Sequence, residues 1–435
     1  MLKRLALVAF FTGSAQLTTL LALKFLAGSM DSGQLKTLGE VDSLINLIVN
    51  LIALGLLMSS VRNIAISPDW HREITRAQTA RLTFSLFLVP LALWSIHNHN
   101  YYIFLFAPIF ALQADYVLYG RAYPVLAAII SFIRVLVPFL AIFLVIRWHP
   151  DWSVASFAIG ALFIYLASGV FIARFFKQPY IYKPALKSIH AYWQSLSLGI
   201  VSLSYYFIGL GLITIAVYFY DDATIAIAYI GCKIYMIFKG VLRMINQSFI
   251  REMTDHAVKL KVDQLASLAG FLFFAGVFFF PDSFIRLLLN KALDFDKNML
   301  LILALAGLIS SLFTSYTTQA ILEQKDKAYA ITAVIASLSA IGCTIIFSFF
   351  NKTVAGIFWG ILIGETISVL GLLRIAGYEN ALRQRLLTSA KYLLMLSLPF
   401  LMKLWWGDSY IGFFTGLGLM SGAFLLTSHK RLRLS

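Results

Sequence analysis

Long apolar runs separated by short polar connectors make up nearly the whole chain. A helical crossing of a bilayer needs about 20 predominantly apolar residues. Candidate runs fall at 5–27, 40–61, 82–96, 101–119, 123–146, 153–173, 189–218, 223–250, 265–281, 298–322, 328–350, 353–374, 391–407 and 410–427. The pattern predicts about fourteen transmembrane helices. Hydrocarbon offers the backbone no hydrogen-bond partner, so each crossing must satisfy its own groups as a helix. The expected fold class is an all-α polytopic membrane protein.

The connectors carry a second pattern. With the N-terminus placed in the cytoplasm, 23 basic residues fall on the internal side and six on the external side. The internal set includes Lys3 and Arg4, then Arg62, Arg72, Arg76 and Arg81, then Arg121, and ends with Lys430, Arg431 and Arg433. Cytoplasmic loops collect Lys and Arg, and an error in the helix count would put the basic loops out of phase. Both termini are therefore expected on the cytoplasmic side of a multi-pass protein. Lys3 and Arg4 before an apolar run resemble a signal peptide. The run is long and a second follows closely, so we read an uncleaved first span.

Composition sharpens this picture. The 435 residues are 60% hydrophobic and only 13% charged, with a mean hydropathy of +0.83. A soluble domain is nearer 25% charged. The net charge of +15 is absorbed by the internal loops, so no nucleic-acid partner is called for. Cys232 and Cys343 sit in apolar runs without ligand spacing, which supports neither a disulfide framework nor a metal. The histidines lie in or beside loops, with no acid and nucleophile in a recognisable array, and there is no ATP-binding phosphate loop. We expect no enzyme, no metal and no cofactor beyond a possible coupling ion, H⁺ or Na⁺.

The longest basic-aromatic connector, 174–188, is interrupted by Pro179 and Pro184 and reads as an interfacial segment. It separates an expected N-terminal six-helix lobe, 1–173, from a C-terminal six-helix lobe, 189–374. A further helix pair and basic tail occupy 375–435. Six is even, so both lobes enter the membrane with the same orientation, and any symmetry between them runs along the membrane normal.

Charges inside the apolar runs are the candidate chemistry, because such residues usually face a bundle interior or a hydrated cavity. Arg134 lies about 18–20 Å from either end of its run at 1.5 Å per residue. Two readings stand: an anion site, or an ion pair with Asp115 or Glu365. Lys233 lies about 16 Å deep, and Lys239 and Arg243 continue down the same helix on a broad face. Lys24 sits near the outer end of the first run, where it either lines a cavity or snorkels. Lys403 reads as a snorkelling anchor beside Trp405 and Trp406. Glu365 is at mid-depth, either binding a coupling ion or neutralising a base. Asp115, the other coupling candidate, is six residues from Arg121 and reads also as a near-surface pair or cap. Glu40 and Asp42 read as solvated at the outer end of the second helix.

Three segments carry a family resemblance. They are Gly39-Glu-Val-Asp-Ser-Leu through Leu54-Gly55-Leu56 and Val61-Arg62-Asn63-Ile64-Ala65; Ala228-Tyr229-Ile230-Gly231-Cys232-Lys233-Ile234; and Gln319-Ala-Ile-Leu-Glu-Gln-Lys-Asp-Lys. They resemble the second helix and its loop, the eighth helix, and the tenth helix and its turn in the Wzx-like polysaccharide flippases. That is one branch of the multidrug/oligosaccharidyl-lipid/polysaccharide exporter superfamily. The resemblance implies a V-shaped pair of six-helix lobes working by alternating access. It implies an undecaprenyl-diphosphate-linked oligosaccharide as cargo, such as an O-antigen repeat unit for lipopolysaccharide biosynthesis at the bacterial inner membrane. Polysaccharide assembly proteins are implied as neighbours, with the chain itself working as a monomer. Cationic residues of the first, second and eighth helices line the cavity in such flippases, and Lys24 and Lys233 match two of these by helix. The second helix offers Asn46 and Asn50 and no base until Arg62, a gap that Arg134 would fill. The eighth helix lacks the usual proline, at Gln247-Ser248-Phe249. A cation or drug antiporter of the same superfamily, and less so a membrane polymerase or ligase, are the alternatives. The excess of buried bases argues against the former, and the small external loops argue against the latter.

Overall fold

The structure, a computed structural model, describes residues 2–193, 195–248, 256–288, 296–323, 325–377 and 389–432. Every regular element among them is helical. Among the described residues nine helices are long and apolar enough to cross a membrane, or ten when the bent pair Lys297–Leu312 and Thr314–Ala320 counts as one span. The expected count of fourteen is thus not reached by whole straight helices. Each of the other runs also contains helix, interrupted in several and continuous at 410–427, within Tyr410–Leu432. Much of the expected outer loop 282–298, and part of the expected addition 375–435, lie outside the described residues.

The interruptions have local causes. The run at 40–61 divides into α2 (Ser32–Ala53) and α3 (Leu56–Ile66). Between them Leu54 and Gly55 take positive φ, 23° and 77°. A Cβ on Gly55 would lie 2.1 Å from the Ser195 carbonyl oxygen and 2.5 Å from the Gly199 nitrogen. Only a residue without a side chain allows two backbones to approach so closely. Gly199 is the reciprocal position, with Leu54 backbone atoms 2.4 Å from where its Cβ would be. The run at 189–218 is likewise broken into His190–Trp193, Leu196–Phe207 and Gly211–Ala216. The bend at Phe313 sets its two helices 47° apart.

Contacts divide the chain into two compact units, residues 1–22 with 29–229 and residues 23–28 with 230–435. The connector 174–188 lies within the first unit. It is tied to the helix Trp70–Leu88, where Thr83 Oγ1 accepts from the Ala185 backbone N–H at 2.9 Å. Gln178 also hydrogen-bonds His71. Tyr182 is buried, while most of the connector, Ile181 and Leu186 included, is exposed.

The first unit packs a core of Ile64, Ala80, Tyr116, Leu118 and Ala127. The helix Pro124–Ile146 runs on through Pro138, whose Cα is held 3.0 Å from where a Cβ of Gly160 would lie. The second unit packs Phe271, Ala275, Phe280, Tyr392 and Met420. Its helices Asp326–Phe350 and Val354–Ala376 form an extensive antiparallel-neighbour contact joined by a short turn at 351–353.

Candidate functional site

In the first unit Arg134 is locked to Asp115. Its Nη1 donates to Asp115 Oδ2 at 2.6 Å and its Nη2 to Oδ1 at 2.8 Å. This is the two-pronged geometry that makes guanidinium–carboxylate pairs directional as well as strong. The two side chains are 10% and 8% exposed. Gln113 adds a bond to Asp115 Oδ2 at 3.2 Å, and the Tyr165 ring lies under the guanidinium at 4.7 Å. Of the two readings open for Arg134, the ion pair is the one present. The near-surface pairing of Asp115 with Arg121 is overturned. Asp115 is buried, while Arg121 stands over the Trp70 ring at 4.5 Å.

Arg81 requires a correction of another kind. Its position in a basic stretch placed it in a loop, yet it lies in the helix Trp70–Leu88 and is only 1% exposed. Loop counting weighs residue type and distance from the apolar run. It carries no information on which face of a helix start is covered by protein.

Glu40 and Asp42 are also not solvated. Both are buried. Glu40 accepts from Asn98 and, at 2.7 Å, from Asn100 Nδ2. Asp42 accepts from the Tyr229 hydroxyl at 2.9 Å and from Asn46 Nδ2 at 3.0 Å. Next to it Ser43 joins the Tyr206 hydroxyl at 2.8 Å and Thr214 at 2.7 Å. A buried polar group is costly unless it is hydrogen-bonded, and here each carboxylate oxygen of Glu40 and Asp42 has a donor. Gly39 lets the Tyr229 ring come close, since a Cβ there would sit 2.7 Å from Tyr229 Cγ. Two of the three segments that carry the family resemblance therefore meet at Gly39, Asp42 and Tyr229.

The second unit holds the other buried carboxylate. Glu365, 2% exposed, accepts from Lys239 Nζ at 2.9 Å and from the Tyr235 hydroxyl. Lys239 also donates to Ser310 Oγ at 2.6 Å. Glu365 thus neutralises a base, and the base is lysine rather than arginine. The helix Asp222–Ser248 carries Lys233, Lys239 and Arg243. Lys233 is half-buried beside buried Cys232, and Arg243 is exposed. Lys24 is half-buried and donates to the carbonyls of Arg286 and Leu287 at 3.4 and 3.3 Å. Those carbonyls belong to the last described turn of the helix Pro281–Leu288. Lys403 lies in the last turn of Ser397–Trp406. Within this unit Lys239 and Glu365 are brought together, whereas Lys24 donates to backbone carbonyls. Among the described residues no His, Cys, Asp and Glu group is placed to hold a metal ion.

Sequence reasoning passed over the tyrosines Tyr229, Tyr235 and Tyr206 and the asparagines Asn98 and Asn100. A signal existed for the tyrosines. A tyrosine inside an apolar run brings a hydroxyl that needs a partner when buried, and the acids at 42 and 365 need donors. Nothing in spacing links Asn98 to Glu40, 58 residues earlier.

No protein-family model matches the chain, and no curated protein matches it by sequence. Solved structures do match by fold. One described as "Lipid II flippase MurJ, inward closed conformation" superposes with a TM-score of 0.73 over 99% of both chains, at 14% identity. One described as "Crystal structure of MATE in the bent conformation" gives 0.51 over 90% of this chain and 97% of that one, at 11% identity. The chain therefore has the fold of that flippase along its whole length, and shares it more loosely with the MATE structure.

Proposed function

We propose that this chain is a flippase for an anionic, lipid-linked glycan, working by alternating access. The observation that carries the reading is the fold likeness to the lipid II flippase structure, a TM-score of 0.73 over 99% of both chains. The bases held within apolar helices support it. A diphosphate–sugar headgroup cannot enter hydrocarbon without a polar path and counter-charge, while its lipid tail can remain in the bilayer. The family resemblance narrows the cargo to an undecaprenyl-diphosphate-linked oligosaccharide, a repeat unit of O-antigen or a related polysaccharide. The membrane is then the bacterial inner membrane, with both termini cytoplasmic.

Among the bases, Lys233 and Arg243 are assigned to the cargo diphosphate, because both lie on the helix Asp222–Ser248, whose start carries the family resemblance. Of the coupling candidates we favour Glu365 over Asp115. Asp115 is gripped at both oxygens by a guanidinium. Glu365 faces a lysine that is itself 23% exposed, so its partner can be exchanged for a proton or Na⁺.

The test is reconstitution in liposomes carrying a fluorescent undecaprenyl-diphosphate oligosaccharide, with a membrane-impermeant quencher reporting the leaflet. The wild-type protein is expected to speed translocation. Lys233→Ala and Arg243→Ala should each slow it about tenfold, equivalent to ~1.4 kcal/mol of lost stabilisation. Uptake of a cationic dye with no movement of the glycan lipid would transfer the protein to the antiporter reading. Formation of longer glycans would make it an enzyme.

A further inference from the structure

Arg81 is among the largest fully buried side chains of the protein, yet Nε, Nη1 and Nη2 all lack a hydrogen-bond partner among the described residues. Its guanidinium carbon lies 5.5 Å from the centre of the Tyr116 ring. That ring face supplies attraction to a cation but no acceptor for its N–H groups. The Tyr116 hydroxyl, also buried, has no partner either. A guanidinium stays charged at any physiological pH, so Arg81 cannot escape the burden by losing a proton. Nor can the neighbouring carboxylate relieve it, because both oxygens of Asp115 are engaged by Arg134. Asp115 is thus committed to Arg134, and Arg81 is left without a hydrogen-bonded counter-charge among the described residues. Burying a charge without a partner is strongly unfavourable, and unsatisfied buried groups in a native fold mark a missing water or ion.

We propose that Arg81 and Tyr116 form a binding site for a small monovalent anion, of chloride size, inside the first unit. Charge sets the sign, since a buried guanidinium with no hydrogen-bond partner among the described residues calls for an anionic acceptor. The donor set fits as well, with guanidinium N–H groups and a phenolic hydroxyl all able to point at one acceptor. Size is set by the dense packing of Ala80, Val117 and Leu118 around the pair, all fully or almost fully buried. A small, partly open cleft lies beside their helices. It is lined by Gln78, one turn before Arg81, by Val117, which follows Tyr116, and by Tyr182. Neither residue is among those assigned to the cargo, and the site does not rest on the flippase reading.

The experiment is thermal unfolding of the purified full-length chain in detergent, in sodium chloride against sodium gluconate at equal ionic strength, with radioactive chloride binding on the same samples. The wild type should show a saturable rise in Tm with chloride and bind about one chloride per chain, as a ligand selective for the folded state requires. Arg81→Met should abolish both effects, and Tyr116→Phe should shift the midpoint several-fold to higher chloride while the protein stays folded. The proposal is overturned if chloride and gluconate give the same Tm with no chloride retained. It is equally overturned if Arg81→Met retains the wild-type chloride dependence, or if added anionic phospholipid, not chloride, provides the stabilisation. Should Arg81→Met fail to fold, the Tyr116→Phe midpoint and the wild-type binding decide the matter.

Discussion

Tyr229 reaches across to donate its hydroxyl to Asp42 at 2.9 Å, and it can do so because Gly39, one turn earlier on α2, has no side chain to block the ring. The contact joins residues 187 positions apart and closes a buried polar face around Asp42, Ser43 and Asn46.

Gly39→Ala is therefore expected to destabilise the protein by ~1–3 kcal/mol, the usual cost of overpacking. The added Cβ would sit 2.7 Å from Tyr229 Cγ, so the ring must shift and take the hydroxyl with it. Tyr229→Phe removes only the bond, at a similar ~1–3 kcal/mol for a buried acceptor left short of a donor. Fluorescence-detected thermal unfolding measures both. An unchanged Tm for Gly39→Ala would mean that the close packing is not real.

Arg134 and Asp115 should behave as one unit. Removing either alone leaves a buried charge, a loss of ~3–5 kcal/mol. The double variant Arg134→Met with Asp115→Leu should recover most of it, giving a strong coupling in a double-mutant cycle. Additive losses would show that the pair is not closed in the protein as purified. A stable Arg134→Ala that has lost only transport would move Arg134 into the cargo path.

For Glu365 the expected result concerns ion dependence. Glu365→Gln keeps an acceptor for Tyr235 and Lys239 while removing the charge. If Glu365 takes the coupling ion, this variant should flatten the dependence of translocation on pH or on Na⁺ without abolishing folding. Retention of the wild-type ion dependence would remove Glu365 from the coupling role.

A pH effect is expected at the turn after the helix Thr314–Leu322. Hydrogen bonds from Lys325 and Gln319 hold the Glu323 carboxyl below the usual carboxylate range. A depressed folded pKa contributes stability above the unfolded value, about 4.3. That contribution is lost as the pH falls through the lower folded value. Its size is small, because the pair is 45% and 37% exposed and solvent screens it. The Tm difference between wild type and Glu323→Gln should be present at neutral pH and vanish on acidification. A difference that grows in acid would reverse the assignment.

Much of the fold was legible in the chain because a bilayer imposes its constraint locally. Twenty apolar residues in a row must be helical wherever they occur, so the helices at 124–146, 326–350 and 354–376 stand within a few residues of their expected limits. The breaks were not legible. Gly55 looks like any glycine in an apolar run until Ser195 and Gly199, some 140 residues on, are seen pressed against it.

The sequence by itself determined that this chain is helical, lipid-embedded, and supplied with rare charges at depth, since hydropathy and helical rise depend only on neighbours along the chain. Tertiary structure alone decided what those charges face: Asp115 for Arg134, Glu365 for Lys239, Tyr229 for Asp42, and, among the described residues, no hydrogen-bond acceptor for Arg81. Each of these depends on which helix faces carry charge and which helices meet, and a side chain's partner in an apolar interior is set by packing between segments that the linear order keeps apart.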